Sequence, residues 1–364
     1  MFSSFRRLIT LLTIGLTMAS ASLAEPFIPE SNETIIATWP AQDNAISQVN
    51  SLESAIEISQ DLIARATQPG RSYLYSLAHT TLTPWVRNYV SNPEFWVTWA
   101  RVQQQKHDFS GALESLKKAI TFEPNNVNAH LIAARTYLIQ QRYELAEQSC
   151  GQIIRGGDFL AASICNLEVA SHQGSLNDSY RNLEKLRSGL RDNDTKSVWT
   201  NKILADMAAR QGRWRASEAW LDAIYDENDL NTLLEWADIK LKLKKYREVS
   251  ARLSEIVKRV PSSEDALLIR LALAEQHLSN DLTPSWKNLV KERVALREQR
   301  QDLYHANDLA IYYLDIEPNP EKALQWAEIN WQSAREYKDE ALLLRAREMS
   351  IESTEQNQSG QVWR

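Results

Sequence analysis

The sequence predicts an all-α protein in which helical hairpins stack into a right-handed α-solenoid of about six to eight helix pairs. The main observation is a pattern of apolar and small residues that repeats every 34 residues from Pro93 onward. A second observation is that glycine and proline are rare, at 10 and 11 of 364 residues, which favours long helices. Since one helix pair buries only one face against each neighbour, a run of such pairs should form a continuous stack.

The first unit shows the pattern most fully. With Pro93 as position 1, the pattern occupies positions 4, 7, 8, 17, 20, 24, 27 and 32, which are Trp96, Trp99, Ala100, Phe109, Ala112, Leu116, Ala119 and Pro124. Alanine at positions 8, 20 and 27 lets two helices approach closely, and the larger residues fill the space around the crossing. Proline at position 32 would end the second helix.

Later units keep this phase with different fidelity. They begin near Val127, Ala161, Val198, Leu230 and Glu264. The second, fourth and fifth units keep alanine at position 8, whereas the third and sixth keep little beyond the helical rhythm. The second helix of the sixth unit, over about 284–301, should be long. A seventh unit and a last helix over about 339–351 would complete the stack.

The two ends of the chain differ from the repeats. Arg6 and Arg7 precede a short apolar stretch and small residues up to Ala24, which is typical of a secretory signal peptide cut after Ala24. The apolar stretch is shorter than the roughly 20 residues of a membrane span. We therefore expect a periplasmic protein with no stable membrane span after cleavage.

Between the signal peptide and the repeats we expect two further segments. Residues 25–50 contain prolines and should form an extended arm, and 51–92 should form an atypical capping helix pair. The polar residues 353–364 should be a disordered tail.

The repeated unit resembles the tetratricopeptide repeat over about 93–352, on the residues given above. More loosely, the chain resembles exported repeat proteins of Gram-negative bacteria. Three stretches carry that second resemblance: Arg71–Leu74 leading to Pro84–Trp85, His107–Phe109 leading into Ala112–Leu113, and the cysteines Cys150 and Cys165. The resemblance implies a non-catalytic scaffold that binds another protein or a peptide in its concave groove, and it identifies no partner.

In the tetratricopeptide family, positions 2, 5, 9, 12 and 13 of each first helix usually line the groove. The candidate partner-binding residues are therefore Arg101, Gln104, Arg135, Trp199, Lys202 and Arg210. Arg101 and Arg135 hold position 9 in successive units, so they should point into the groove about 10 Å apart. They could hold an acidic peptide, or they could form a pair of salt bridges within their own repeats. The family's clamp for a C-terminal carboxylate is not matched, because Val97 stands at position 5 of the first unit.

The two cysteines favour a disulfide. Cys150 and Cys165 lie six residues before Gly156 and eight after Gly157, so they should stand at similar heights on two antiparallel helices. In an oxidising compartment such a pair forms a disulfide worth about 3 kcal/mol in the loop-entropy model. It would join the second unit to the degenerate third one. Two buried free thiols are the alternative.

Charge and motifs limit the function classes. Without Arg6 and Arg7 the 41 Lys and Arg fall to 39 against 47 Asp and Glu, a net charge of −8, which disfavours a nucleic-acid partner. No GxSxG, HExxH, P-loop or GxGxxG motif occurs, so we expect no catalytic residue, no cofactor and no metal. One alternative is a self-associating structural or assembly subunit of an envelope complex. Another is a solenoid-type glycan-active enzyme, which would need converging carboxylates with raised pKa values.

Overall fold

The computed structural model describes residues 49–87, 90–192, 194–260, 263–278 and 285–361. The chain divides into two units, residues 1–44 and 45–364, and every described residue belongs to the second. The expected signal peptide, its cleavage after Ala24 and nearly all of the expected arm therefore lie outside the described residues.

The described residues form 17 α-helices and contain no β-strand. The helices are α1 (Leu52–Ala66), α2 (Leu74–Val86), α3 (Pro93–Gln105), α4 (Phe109–Phe122), α5 (Val127–Ile139), α6 (Tyr143–Ile153), α7 (Phe159–His172), α8 (Leu176–Ser188), α9 (Thr195–Arg210), α10 (Trp214–Asp222), α11 (Leu230–Lys242), α12 (Tyr246–Arg259), α13 (Asp265–Glu275), α14 (Trp286–Gln299), α15 (Ala306–Asp315), α16 (Pro320–Ser333) and α17 (Tyr337–Gln361). Each odd-numbered helix up to α15 packs against the even-numbered helix that follows it, and α17 packs on α16 and α15. The prediction of an all-α stack of helix pairs is confirmed.

Most first helices of the pairs begin at an Asn or Asp residue. The side-chain oxygen of this residue accepts a hydrogen bond from a backbone N–H of the first turn, which satisfies one of the donors left free at a helix start. This cap occurs before α3, α5, α7, α9 and α11, at Asn92, Asn126, Asp158, Asp194 and Asp229. The repeated cap sets where each first helix starts.

The turn inside each pair is also repeated. A residue at position 15, or one residue before it in the third unit, has a positive φ in five units, and these residues are His107, Gln141, Gly174, Gly212 and Lys244. The next residue donates its backbone N–H to a carbonyl of the preceding helix, as Asp108 does to Gln103 at 2.9 Å. A left-handed residue ends one helix and lets the next begin at once.

The core lies between successive pairs, where the predicted small residues stand. All seven alanines that we assigned to helix crossings are buried: Ala100, Ala112, Ala119, Ala134, Ala146, Ala205 and Ala237. Trp96, Trp99 and Trp236 are buried beside them, as the repeat pattern predicts. The tryptophans at these positions are therefore packing residues.

The predicted disulfide is present. Cys150 on α6 and Cys165 on α7 are joined, with their Cα atoms 5.5 Å apart, and both residues are buried. The bond lies at the contact between the second and third units, where the alanine pattern of the repeat is weakest.

Two helices in the middle of the chain differ from expectation. α2 continues through Pro84 to Val86, although a proline usually breaks a helix. Because Pro84 lies in the last turn, its missing N–H removes only one hydrogen bond. α14 has an ordinary length of 14 residues, since Gln301 adopts a φ of 50° and the chain turns there.

The C-terminal end also differs. We expected the last helix to end near Ile351 and residues 353–364 to be disordered, yet α17 continues through Gln361. The stretch from Tyr337 to Ser359 contains no proline or glycine that would break a helix. Residues 362–364 lie outside the described part.

Candidate functional site

Each first helix from α3 to α15 carries a charged side chain at or close to position 9 of the repeat. We call these residues the position-nine row: Arg101, Arg135, Asp206 and Asp238 at position 9, and Glu168, Arg270 and Asp308 in the remaining first helices. Two neighbouring pairs contact each other directly, since Arg135 lies 3.4 Å from Glu168 and Arg270 lies 2.7 Å from Asp238. These contacts between successive pairs show that the row follows one face of the stack, which is the concave face that the repeat pattern predicts.

A turn from the far end of the chain reaches this row. Glu336, between α16 and α17, places Oε1 2.5 Å from Arg135 Nη2 on α5. The adjacent residue Arg335 donates its backbone N–H to the carbonyl of Ile139 at 2.8 Å. Asp339 accepts the backbone N–H of Glu336 at 2.9 Å, which holds the turn in shape. The concave face beside Arg135 is therefore occupied by the protein's own chain.

A second set of contacts joins distant pairs. Thr67, after α1, accepts the backbone N–H of Leu230 at 2.8 Å, and Gly70 donates to the carboxylate of Glu264 at 2.9 Å. The first pair thus contacts the starts of α11 and α13. The stack therefore curves back on itself. We use the name closing contacts for the contacts of Thr67 and Gly70 described here together with the contacts of Arg335 and Glu336 described above.

Two carboxylates compete for Arg135. Glu336 is the closer one, and the arginine holds the pKa of Glu336 down at about 2 although burial opposes the shift. Glu168 has a side chain that is only 12% exposed, and burial raises its pKa to about 7 despite Arg135. The geometry explains the opposite directions, because the 2.5 Å contact to Glu336 is much shorter than the 3.4 Å contact to Glu168.

Other ionisable groups of this face are also perturbed. Burial, with the nearby Arg210, lowers the pKa of His172 to about 4, and the ring of His172 stacks on Tyr143 at 5.7 Å between centroids. Loss of hydration raises the pKa of Glu235, although this side chain is accessible to water. Both shifts follow from reduced hydration, which disfavours the charged form of each side chain.

Most of the predicted site residues are engaged within the stack. Gln104 donates to Thr136 at 2.6 Å, and Lys202 pairs with Asp229 at 3.2 Å. Arg210 pairs with Asp206 at 2.8 Å and donates to the carbonyl and hydroxyl of Ser171. Trp199 is half-buried and packs between two apolar clusters. Arg135 bonds Glu168 on α7 and Glu336 after α16, so its salt bridges run between repeats, whereas the alternative to peptide binding was a bridge within one repeat.

Arg101 differs from the other predicted site residues in having no polar partner. It is exposed, and it makes no hydrogen bond or ion pair with any described residue. It faces a cavity of about 740 Å³ bordered by α1, α3 and the start of α5. Gln60, Glu94, Val97, Glu123 and Asn128 also line this cavity.

Sequence reasoning did not find Glu168 or Glu336. Glu168 follows Arg135 by 33 residues, close to the repeat length, so the spacing alone carried a signal for it. Glu336 lies 201 residues from Arg135, and no local pattern relates the two residues. The sequence placed Arg101 and Arg135 at the same position of the repeat, and only the tertiary structure shows that Glu336 pairs with one of them.

The described side chains and helices form neither a metal-ion cluster nor a membrane span. No group of three or more His, Cys, Asp or Glu side chains there has an arrangement that could hold a metal ion. None of the described helices combines the length and apolar character that a membrane crossing requires.

Comparison with known proteins gives similarity in structure only. No family model and no curated protein matches the sequence. A solved structure of a human IFIT1 dimer with PPP-AAAA is 14% identical, covers 77% of this chain and 72% of its own, and has a TM-score of 0.45. PilF of Pseudomonas aeruginosa is 13% identical and covers 66% of this chain and 100% of its own, with a TM-score of 0.37.

A tetratricopeptide repeat protein from Parabacteroides merdae gives a similar result. It is 13% identical and covers 81% of this chain and 98% of its own, with a TM-score of 0.37. The 34-residue spacing, the capped helix pairs and the buried alanines show that the chain folds as a helical-repeat protein of the tetratricopeptide type.

Proposed function

We propose that this protein is a non-catalytic periplasmic scaffold that binds another protein or a peptide on the concave face of its helical stack. The observation that carries the proposal is the cavity of about 740 Å³ at Arg101. At this cavity Arg101, a member of the position-nine row, makes no hydrogen bond or ion pair with a described residue. A charged side chain placed in a concave site can fix the orientation of a ligand.

The periplasmic location rests on two features. Residues 1–24 have the pattern of a cleaved signal peptide, and Cys150 and Cys165 form a disulfide, which persists in oxidising compartments. The test is fractionation of bacteria that express the full chain, with the mass of the mature protein measured. We expect a periplasmic protein that begins at Glu25, and a cytoplasmic or uncleaved protein would contradict the assignment.

Binding on the concave face is tested by photocrosslinking in cells. A photoreactive amino acid at Asn128, which is exposed in the cavity, should give discrete adducts with a partner. The matched control is the same amino acid at Arg215, which is exposed on the second helix α10. Equal adducts from both positions, or none from Asn128, would contradict binding at this face.

One observation favours an enzyme as a second candidate. The pKa of Glu168 is raised to about 7, as a general acid requires. However, Glu168 lies 3.4 Å from Arg135 and shares it with Glu336, so it is not free to meet a substrate. A glycan-active enzyme would lose its activity in Glu168→Gln, whereas the scaffold would keep its crosslinks.

A self-associating subunit is a third candidate, and α17 carries the observation for it. Leu344 and Ile351 are 51% and 59% exposed on this last helix. Light scattering over a range of concentrations tests this candidate, with Leu344→Glu as the variant. A dimer that dissociates in the variant would favour self-association over the scaffold.

A further inference from the structure

The concave face already holds one bound segment, which belongs to the chain itself. In this segment Glu336 pairs with Arg135, and two residues later Lys338 lies 3.6 Å from Glu336. Lys338 also interacts electrostatically with Glu235, which lies on the first helix α11. The segment therefore presents an acidic and a basic side chain to a face that carries both signs of charge.

Arg101 stands where Arg135 stands, one repeat earlier. The two residues are 34 positions apart, on the adjacent first helices α3 and α5. Glu336 fills the site at Arg135, whereas the site at Arg101 opens into the cavity. The fold thus repeats the same cationic site, and one of the two copies is unfilled by any described residue.

The lining of the cavity restricts what can fill it. Besides Arg101 it contains three carboxylates, those of Glu53, Glu94 and Glu123. Glu94 accepts a hydrogen bond from Gln60 at 2.9 Å, and Glu123 accepts one from Asn126 at 2.6 Å. A purely acidic ligand would be repelled by these glutamates, whereas a purely basic ligand would leave Arg101 without an anionic partner.

We propose that the Arg101 cavity binds an extended segment of a partner protein, and that this segment carries both signs of charge. This inference rests on the proposed scaffold function. An Asp or Glu side chain of that segment pairs with Arg101, as Glu336 pairs with Arg135. A Lys or Arg side chain within about three residues faces Glu53, Glu94 or Glu123. The exposed amide of Asn128 is available to the backbone of the segment.

The test is selection from a phage-displayed library of random dodecapeptides, panned on the disulfide-bonded protein in parallel with its Arg101→Glu variant. We expect peptides in which Asp or Glu lies within three residues of Lys or Arg. A synthetic copy of an enriched peptide should bind at least tenfold more weakly to Arg101→Glu and to Arg101→Gln. Arg215→Glu, which changes an exposed helical arginine elsewhere, should bind like the unmodified protein. Because Arg101 and Arg215 are exposed and make no hydrogen bond or ion pair with described residues, we expect all three variants to keep their thermal melting temperature.

A charge swap tests directly whether the acidic residue of the peptide pairs with Arg101. Replacing the acidic residue of the peptide with lysine should weaken binding to the unmodified protein and restore binding to Arg101→Glu. Peptides that depend on Arg101 but carry only one sign of charge, or none, would overturn the ligand class and leave the scaffold function standing. No enrichment at all, or peptides insensitive to Arg101, would overturn the proposed binding site itself.

Discussion

At the scale of single residues, the concave face is organised by one arginine between two carboxylates. Arg135 contacts Glu168 and Glu336, and the shorter contact decides which carboxylate keeps its charge. The pKa of Glu336 falls to about 2 and that of Glu168 rises to about 7. The opposite directions follow because Glu336 pairs with both Arg135 and Lys338, whereas burial outweighs the longer contact of Glu168 with Arg135.

Glu336→Gln should therefore lower the free energy of unfolding at pH 7 by about 1–2 kcal/mol, since it removes a charge-assisted hydrogen bond. The effect is modest because Arg135 is 47% exposed and solvent screens the pair. Because the folded pKa of about 2 lies below the ordinary 4.5, this stabilisation is complete above pH 4.5 and is lost as the pH falls toward 2. Urea denaturation of both proteins from pH 7 to pH 2.5 measures it. A difference that grows on acidification would contradict this assignment.

The left-handed turn residues give a second prediction at this scale. Lys244 is exposed, with a φ of 59°, and a residue with a Cβ atom pays for that conformation while glycine does not. Lys244→Gly should raise the free energy of unfolding by roughly 0.5–1 kcal/mol, and the comparison variant Gly212→Ala, at a φ of 71°, should lower it. Thermal melting of the two variants checks both signs, and a loss of stability in Lys244→Gly would show that the turn is not strained.

At the scale of elements, the stack depends on close helix crossings. Ala100 and Ala134 are fully or almost fully buried at the crossings of α3 with α4 and α5 with α6. Ala100→Trp or Ala134→Trp should therefore overpack the crossing and cost at least 1–3 kcal/mol. We expect loss of protection from hydrogen exchange in α3–α6 first. Unchanged thermal melting in either variant would contradict the assignment of these alanines to helix crossings.

The disulfide acts on the contact between α6 and α7. Its removal in the double variant Cys150→Ser, Cys165→Ser should cost about 3 kcal/mol by the loop-entropy model. The loss should be localised, because in a stack each pair contacts mainly its neighbours. Hydrogen exchange that increases in α6 and α7 before the other helices would support this, and uniform loss over all helices would contradict it.

At the scale of the whole molecule, the closing contacts bring distant pairs together. Glu264 binds the backbone of Gly70, and Glu336 binds Arg135, so two carboxylates hold opposite parts of the stack. Replacing both with glutamine should open the curvature and increase the radius of gyration, while the helical content stays the same. Small-angle X-ray scattering and circular dichroism measure the two quantities. The control is Glu328→Gln, an exposed residue of α16, and an unchanged radius in the double variant would show that other contacts set the curvature.

Periodicity made the local structure predictable. The alanines at positions 8, 20 and 27 are buried as expected, and Cys150 and Cys165 are bonded as their distances from the double glycine predicted. Both results depend on residues within one or two repeats of each other. The third unit was harder to place because its packing residues are atypical, and α7 starts at Phe159 rather than near Ala161.

The contacts of the candidate site were less predictable. Arg101 and Arg135 are both arginines at position 9 of their units, so the sequence gives no reason to expect different contacts for them. The structure separates them through Glu336, which reaches Arg135 from 201 residues away and does not reach Arg101. Whether a groove residue is available to a partner thus depended on a contact that no repeat pattern contains.

The sequence by itself determined the helices, their pairing and the faces that they bury, because these depend on hydrogen bonds, caps and side-chain spacing within about 34 residues. Only the tertiary structure decided how strongly the stack curves and which distant turns meet its concave face. The physical reason is that curvature is the sum of small rotations between successive pairs. Each rotation depends on the packing of whole interfaces. Their accumulated value brings Glu336 onto Arg135, while no described residue pairs with Arg101.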